Sequence, residues 1–265
     1  MNTYYNENYF SSGIFNYDYD AIAIAIIEQY HPKSIIEFGC GNGGLARSFA
    51  SRRIKVEVID GYAEPDFSEF SNVRFTKVDL NNVMEVNTYL SKLDNKFDIS
   101  ISFEVAEHLD PAISSTLINW MTSIANVVIF SAAVPEQAGD GHINCRPREF
   151  WHREFENKGY MIADTIREKI RNNTKIARWY RHNITDYYRL ETPPKIEEWR
   201  QIIDRLVSSD SAASSDYYLQ FKKIDLAHRE LEYLNQVLRM QPIRLAFQIR
   251  NILKRIIGKP VVKLK

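Results

Sequence analysis

Glu104, Glu107 and His108 fall within a single run, FEVAEHLDP, and His142 follows in a glycine-rich stretch, GDGHINCRPREFW. Carboxylates and imidazoles this close together can do two kinds of chemistry. An imidazole, with its pKa near neutrality, can take the proton from a hydroxyl acceptor as that hydroxyl attacks. A mixed carboxylate and imidazole set can instead hold Mg²⁺ or Mn²⁺. If a helical turn starts at Glu104, then Glu104, Glu107 and His108 stand at i, i+3 and i+4 and share one face. His142 adds a fourth group if its loop returns over the same site. The plain alternative is that Glu107 and His108 only cap and solvate a helix start.

Such residues need a scaffold, and the flanking sequence predicts one. YDAIAIAIIEQY (19–30) reads as a helix with Asp18 or Asp20 as its cap, stopped by Pro32. Strands are expected at KSIIEF, KVEVID (55–60), VRFTKVDL (73–80), FDISISF (97–103) and NVVIFSAAV (126–134). Helices are expected at LARSFASRR, AISSTLINWMTSIA (112–125) and REFWHREFENKGY (148–160), and a late strand at KIARWYRHNITDYYRL (175–190). Strand–helix alternation of this kind implies right-handed βαβ units, hence an α/β fold with a parallel sheet covered on both faces. The Glu104 cluster follows the fourth strand, so it lies at a carboxyl end, where open α/β sheets bind ligands.

The first strand runs into GCGNGG, which fits G-x-G-x-x-G at Gly39, Gly41 and Gly44. Glycine serves there because the backbone turns sharply and lets a ligand approach closely. Asp60, at the end of the second strand, is placed to hold two ribose hydroxyls. These features alone fit a nicotinamide dinucleotide as well as any other nucleoside cofactor. Glu37, two residues before the first glycine, can meet a cationic amino-acid group, and Asp79 can reach an adenine amino group.

The order IIEFGCGNGG, VEVID, VDL, FDISISFEVAEHL resembles the class I S-adenosylmethionine (SAM)-dependent methyltransferases over residues 20–190. The resemblance implies a Rossmann-like sheet of seven strands whose last strand is antiparallel, expected to be the one containing Asn183. It also implies that Glu37 and Gly39 lie near the methionine moiety, Asp60 at the ribose and Asp79 at the adenine, with Gly41 also holding SAM. Glu104 would sit beside the sulfonium, with Glu104, His108 and His142 facing the acceptor. E-x-x-E-H with a later His resembles the small-RNA 3′-end 2′-O-methyltransferases, in which two Glu and two His bind a divalent metal that grips a vicinal diol. Carried over, the metal ligands would be Glu104, Glu107, His108 and His142. The spacing to His142 is shorter here, and the fuller His-rich signature is missing. EVAEHL also resembles the ubiquinone-biosynthesis O-methyltransferases, so the metal site and a metal-free histidine base both stay open.

FSAAVPEQAGDGHINCRPREFW and WYRHN resemble methyltransferases of bacterial surface-polysaccharide and sugar-tailoring clusters. This implies a sugar hydroxyl as acceptor, on a nucleotide sugar or a glycan. Glu136, Gln137, Asp140 and Asn144 suit hydroxyl recognition, and Arg146, Arg148, Arg178 and Arg181 suit a phosphate or carboxylate. Trp151 and Trp179 suit stacking, and Tyr4, Tyr5, Tyr9 and Phe10 an N-terminal lid. A catechol or quinone precursor is the alternative acceptor. RNA comes third, because the net charge of +0 supplies no basic field and no nucleic-acid partner is expected.

Two cysteines, Cys40 and Cys145, make no disulfide or zinc framework, which favours a cytoplasmic setting. After Pro193-Pro194 the style changes, giving a domain at 1–190 and a helical extension at 195–265. Ile224, Leu231, Leu238, Leu245 and Ile252 recur every seventh residue, as in a helix packed on the core or on a second copy in a homo-oligomer. Residues 242–265 are basic and amphipathic, and no acid follows Glu232; this suits peripheral contact with the inner face of a membrane.

Overall fold

The structure is a computed structural model that describes residues 17–93 and 96–189. The chain divides into two units, Met1–Ile202 and Ile203–Lys265, and every described residue belongs to the first. The expected N-terminal lid, the domain boundary near 190, the heptad segment and the basic stretch at 242–265 all lie outside the described residues. No described helix is long and apolar enough to cross a membrane.

Helix α1 (Tyr19–Tyr30) starts where the Asp18 side chain accepts from the Ala21 N–H at 3.0 Å, so one of the helix's orphan donors is satisfied. It buries Ile22, Ala23, Ala25 and Ile26 and ends at His31 in the left-handed region. Strand β1 (Ser34–Phe38) is followed by α2 (Gly44–Ala50), β2 (Lys55–Asp60), β3 (Val73–Lys77), α3 (Val83–Leu90) and β4 (Phe97–Phe103). Then come α4 (Ser114–Ile124), β5 (Ala125–Ser131), α5 (Arg148–Asn157), β6 (Tyr160–Ile162), α6 (Thr165–Ile170), α7 (Arg178–Asn183) and β7 (Thr185–Arg189).

The seven strands run β3-β2-β1-β4-β5-β7-β6. Strands β1 to β5 are mutually parallel, while β7 is antiparallel to β5 and β6. This is the Rossmann-like seven-stranded arrangement expected. β1, β2 and β4 are Ile- and Val-rich and almost wholly buried, as strands covered on both faces must be. One core cluster packs α1, α2, α6 and α7 on one face, and a second packs α3, α4 and α5 on the other. Strand order reverses between β1 and β4, so the crevice at their carboxyl ends is the natural ligand site.

Three expectations are corrected. Asn183 is not in the antiparallel strand; it ends α7, and pairing with β5 begins at Thr185 opposite Phe130. The stretch 178–183 buries Tyr180 and Asn183, three apart, which is a helical and not a strand pattern. Nor does an α-helical turn start at Glu104. That residue has φ +53°, in the left-handed region, and a short 3₁₀ turn follows at Ala106–His108. β5 also stops at Ser131, three residues short of the apolar run that predicted it.

Candidate active site

A cavity of about 700 Å³ opens over the carboxyl ends of β1 and β4. Its walls include Glu37, Gly39, Gly41, Asp60, Glu104, Glu107, His108 and His142. They come from four separate stretches of sequence, which the sheet and the loop after β5 bring to one crevice.

The glycine turn forms the floor at one end. Gly39 has φ +78°, and a Cβ there would stand 2.5 Å from Val105 Cγ2, so only glycine fits. Asp60 holds the turn in place. Its Oδ2 accepts from the Cys40 and Gly41 N–H groups at 2.8 and 3.1 Å, and its Oδ1 from those of Tyr62 and Ala63 at 2.8 and 2.9 Å. A carboxylate offers about four lone-pair sites, so all of Asp60's capacity goes to backbone amides. Asp60 lines the cavity, and its bonds here shape the turn. Asp79 lies behind Gly61, and its carboxylate accepts from the Asn81 N–H at 2.9 Å; Leu80 and Asn81 line the cavity, and Asp79 does not.

Glu37 is 4% exposed and its Oε2 has no hydrogen-bond partner. Burial, with the Asp60 charge adding to it, pushes its carboxyl up to about 8. A buried carboxylate left in this state is costly unless a ligand brings a donor or a positive charge.

The other end of the cavity is built around Glu104. Its N–H donates to Ser131 O at 3.0 Å and its carboxylate accepts from Gln137 Nε2 at 3.1 Å. Asn183 Nδ2 reaches both its oxygens, at 3.2 and 3.4 Å, and also donates to Gln137 Oε1 at 2.9 Å. Left-handed backbone at a glutamate costs on the order of 1–2 kcal/mol; these bonds offset that cost and fix the side chain. Burial raises Glu104's pKa, while Ser131, Asn183 and Gln137 hold it down by favouring the charged form.

Glu107 is 0% exposed and neither of its oxygens makes a well-formed hydrogen bond. Burial, then the neighbouring Glu104 charge, pushes its pKa well above the carboxylate range; the nearby Glu107 and Ala133 amides oppose this only weakly. Its carbonyl accepts from the Ile143 and Asn144 N–H groups, both at 2.9 Å, which brings the glycine-rich loop back over the cluster. His108 Nδ1 faces Gly141 O at 3.3 Å, and His142 Nδ1 faces Gln137 O at 3.1 Å. A carbonyl can only accept, so both protons are assigned to Nδ1 and both Nε2 atoms keep their lone pairs. The two rings lie 4.9 Å apart. Burial, then His142, lowers His108 to about 4. One ligand atom each from Glu107, His108 and His142 lie within 4.8 Å of one another.

The structure thus joins Glu107, His108 and His142 in one donor set, with Glu104 beside it on the Gln137–Asn183 clamp. Several loop residues have other duties. Asn144 is buried, and its amide serves Ala106 O and Ser114 Oγ. Trp151 is 3% exposed and packs on Phe130 and Phe150 in the core. Arg146 lies over the Phe150 ring. Trp179 does line the cavity. Asn183 is the member that sequence reasoning misplaced, since nothing in WYRHN signals a partner 79 positions away.

The methyltransferase domain family matches residues 20–165 of the chain. No curated protein matches it. Among solved structures, the chain is similar to magnesium protoporphyrin IX methyltransferase from Synechocystis PCC 6803 with bound S-adenosylhomocysteine (SAH), at 17% identity over 65% of this chain and 82% of that one, TM-score 0.48. It is also similar to an amino pentose methyltransferase from Micromonospora echinaspora involved in calicheamicin biosynthesis, at 13% identity over 65% and 92%, TM-score 0.49. A third is an N-methyltransferase from Bradyrhizobium japonicum WM9, at 14% identity over 65% and 94%, TM-score 0.47.

Proposed function

The chain belongs to the methyltransferase domain family and is a SAM-dependent methyltransferase, and from that premise we propose that it methylates a sugar hydroxyl, on a nucleotide sugar or a surface-polysaccharide glycan. One observation carries the reading. Glu107, sealed from solvent and without a well-formed hydrogen bond, stands with His108 and His142 at the acceptor end of the cavity. An amine acceptor needs little help to lose a proton, whereas a hydroxyl needs a base or a cation.

Glu37 serves the other end. Its unpartnered Oε2 faces the place where the methionyl ammonium of SAM would lie, and that charge would draw the carboxyl back to its ionised form. The glycine turn leaves room for the cofactor's backbone approach, and Glu104 borders the sulfonium. The acceptor oxygen then attacks the methyl carbon in line. The new C–O bond forms as the C–S bond breaks, the electron pair stays on sulfur, and neutral SAH leaves. The hydroxyl proton passes to His142 Nε2, whose ring is oriented by Nδ1 against Gln137 O. His108, held neutral, lends a hydrogen-bond acceptor to the sugar.

Glu107, His108 and His142 also fit a divalent cation, with Glu104 alongside. Two imidazoles whose Nδ1 atoms rest on backbone carbonyls, beside an unsatisfied carboxylate, form a donor set that suits Mn²⁺ better than Mg²⁺. Such an ion would supply a grip on neighbouring hydroxyl oxygens and make them more acidic. A catechol or quinone precursor is the second reading, favoured by the apolar rim at Tyr62 and Ile143, which are 37% and 63% exposed. Membrane contact through 242–265 and subunit contact through the C-terminal helix remain proposals from sequence, to be tested by liposome flotation and by the solution mass of the full chain.

The test is methyl transfer from labelled SAM to nucleotide sugars, neutral glycosides, a catechol and a short RNA, each with Mn²⁺ and with EDTA. Transfer to sugar supports the reading, and EDTA decides between the cation and the histidine base. Transfer to catechol or RNA alone removes the sugar.

A further inference from the structure

The loop after β5 carries His142, and its own residues decide how that imidazole stands. The Gln137 N–H donates to the Val134 carbonyl at 3.1 Å, with Pro135 second in this turn and Glu136 third at φ +68°. Proline second and a positive φ third are the marks of a type II turn. The turn delivers Gln137 to the cavity wall. There Gln137 Nε2 donates to Glu104 Oε2 at 3.1 Å, and Gln137 Oε1 accepts from Asn183 Nδ2 at 2.9 Å, so both polar ends of the side chain are held. The Gln137 main-chain carbonyl, anchored in this way, stands 3.1 Å from His142 Nδ1. The Cys145 sulfur stands 3.5 Å from the same nitrogen. These two neighbours ask for opposite tautomers. A carbonyl only accepts, which puts the proton on Nδ1 and leaves Nε2 its lone pair. A thiol can donate, which puts the proton on Nε2 and takes that lone pair away. The clamp on Gln137 keeps the carbonyl as the nearer partner.

Gly139 acts on the other edge of the ring. A Cβ there would stand 2.2 Å from His142 Nε2 and 2.3 Å from its Cε1, and the nearest atoms it would meet all belong to that imidazole. Gly139 is not at positive φ, so its backbone conformation does not call for glycine. The space does. Gly139 and His142 both line the cavity. The room left by the absent side chain lies at the nitrogen that an acceptor oxygen must reach. An added methyl would meet only the movable end of a side chain, so it would push the ring and leave the fold alone.

We propose that Gln137 and Gly139 are positioning residues for His142, the first fixing its proton on Nδ1 and the second keeping Nε2 open to the acceptor. This rests on the reading of His142 as the base for its purpose, but its spectroscopic test does not. The histidine-labelled full chain with SAH bound is read by long-range proton–nitrogen NMR, the His142 signals being those missing from His142→Ala. Wild type is expected to carry the His142 proton on Nδ1. Gln137→Met, which keeps the volume and loses both bonds, should let the Nε2-protonated form appear. Gly139→Ala should move the His142 ring signals and leave SAH affinity unchanged, which separates a displaced ring from a lost fold. Its turnover on the sugar acceptor should fall about tenfold or more, because a misplaced base loses its line to the hydroxyl. In a His142→Ala background the same substitution should cost nothing further, whereas a merely structural role would cost the same in both. A wild-type proton on Nε2, a Gln137→Met protein that keeps the proton wholly on Nδ1, or His142 signals unmoved by Gly139→Ala overturns the proposal. So does an equal loss in both backgrounds. Ring signals that move as expected, with full turnover by His142→Ala, keep the positioning and remove the base instead.

Discussion

Asn183 Nδ2 donates to both carboxylate oxygens of Glu104, joining the end of α7 to the residue just past β4 across 79 positions of sequence. The same amide nitrogen holds Gln137 Oε1, so the glycine-rich loop is tied in as well. One side chain thus links three segments at the point where cofactor and acceptor would meet.

Asn183→Ala should therefore lower turnover by about 10- to 100-fold, the worth of a hydrogen bond to a charged group. A lost packing contact would lower activity equally at every pH. Loss of this bond should also raise Glu104's pKa, because Asn183 favours its charged form. The acid limb of the rate profile is expected to move upward in pH, and a rate profile that keeps its shape would argue for a structural role only.

Glu37 makes a prediction about stability. Its folded pKa of about 8 lies above the ordinary 4.5. Between those values the folded state holds more protons than the unfolded state, so this group makes stability fall as pH rises from 4.5 to 8. Glu37→Gln should flatten that fall and stabilise the cofactor-free protein at pH 8 by about 1 kcal/mol or more. Denaturant midpoints at pH 5 and pH 8 check this. Equal pH dependence in both proteins would mean that Glu37 is not buried as described.

Much of this scaffold is visible in the residues. KVEVID and FDISISF are strands over the stretches expected, because continuous apolar runs bounded by turn residues leave little alternative. α3 was not foreseen. Its signals, Asn82 as cap with Glu85 three residues on and Val83, Val86 and Leu90 at helical spacing, are present, yet the helix has only eight residues and fully buries only Val86. β6 has three residues and announces nothing. The E-x-x-E-H spacing suggested a helical face, but convergence is achieved differently. Glu104 turns left-handed, a short 3₁₀ turn carries Glu107 and His108, and the loop after β5 delivers His142. Such convergence depends on tertiary contacts that no local pattern encodes.

Asp60 tests the glycine turn. With four backbone N–H groups on its carboxylate, Asp60→Asn would put an amide nitrogen against donors and leave amides unpaired. Destabilisation of about 1–3 kcal/mol is expected, with SAM affinity falling at the same time. Thermal melts and calorimetry on the same sample check both, and an unaffected melt with lost binding would place Asp60 purely on the ligand.

The cation reading predicts that Mn²⁺ binding weakens as pH falls, since Glu107 must be ionised to serve and its pKa is raised. Glu107→Gln should abolish Mn²⁺ binding and leave SAH affinity within about twofold, a loss specific to the acceptor end. Calorimetric titration of Mn²⁺ at pH 6 and pH 8 checks this; Mn²⁺ bound equally by the variant would remove Glu107 from the set.

If one cavity holds SAM at Glu37 and a sugar hydroxyl at Glu104, Glu107, His108 and His142, the two ends must fail separately. The most direct measurement pairs SAM affinity with sugar methylation in the same preparations of wild type, Glu37→Gln and His142→Ala. Glu37→Gln is expected to weaken SAM at least about tenfold, while His142→Ala keeps SAM affinity and lowers turnover about 100-fold or more. Full sugar turnover by His142→Ala, or unchanged SAM affinity in Glu37→Gln, would contradict it.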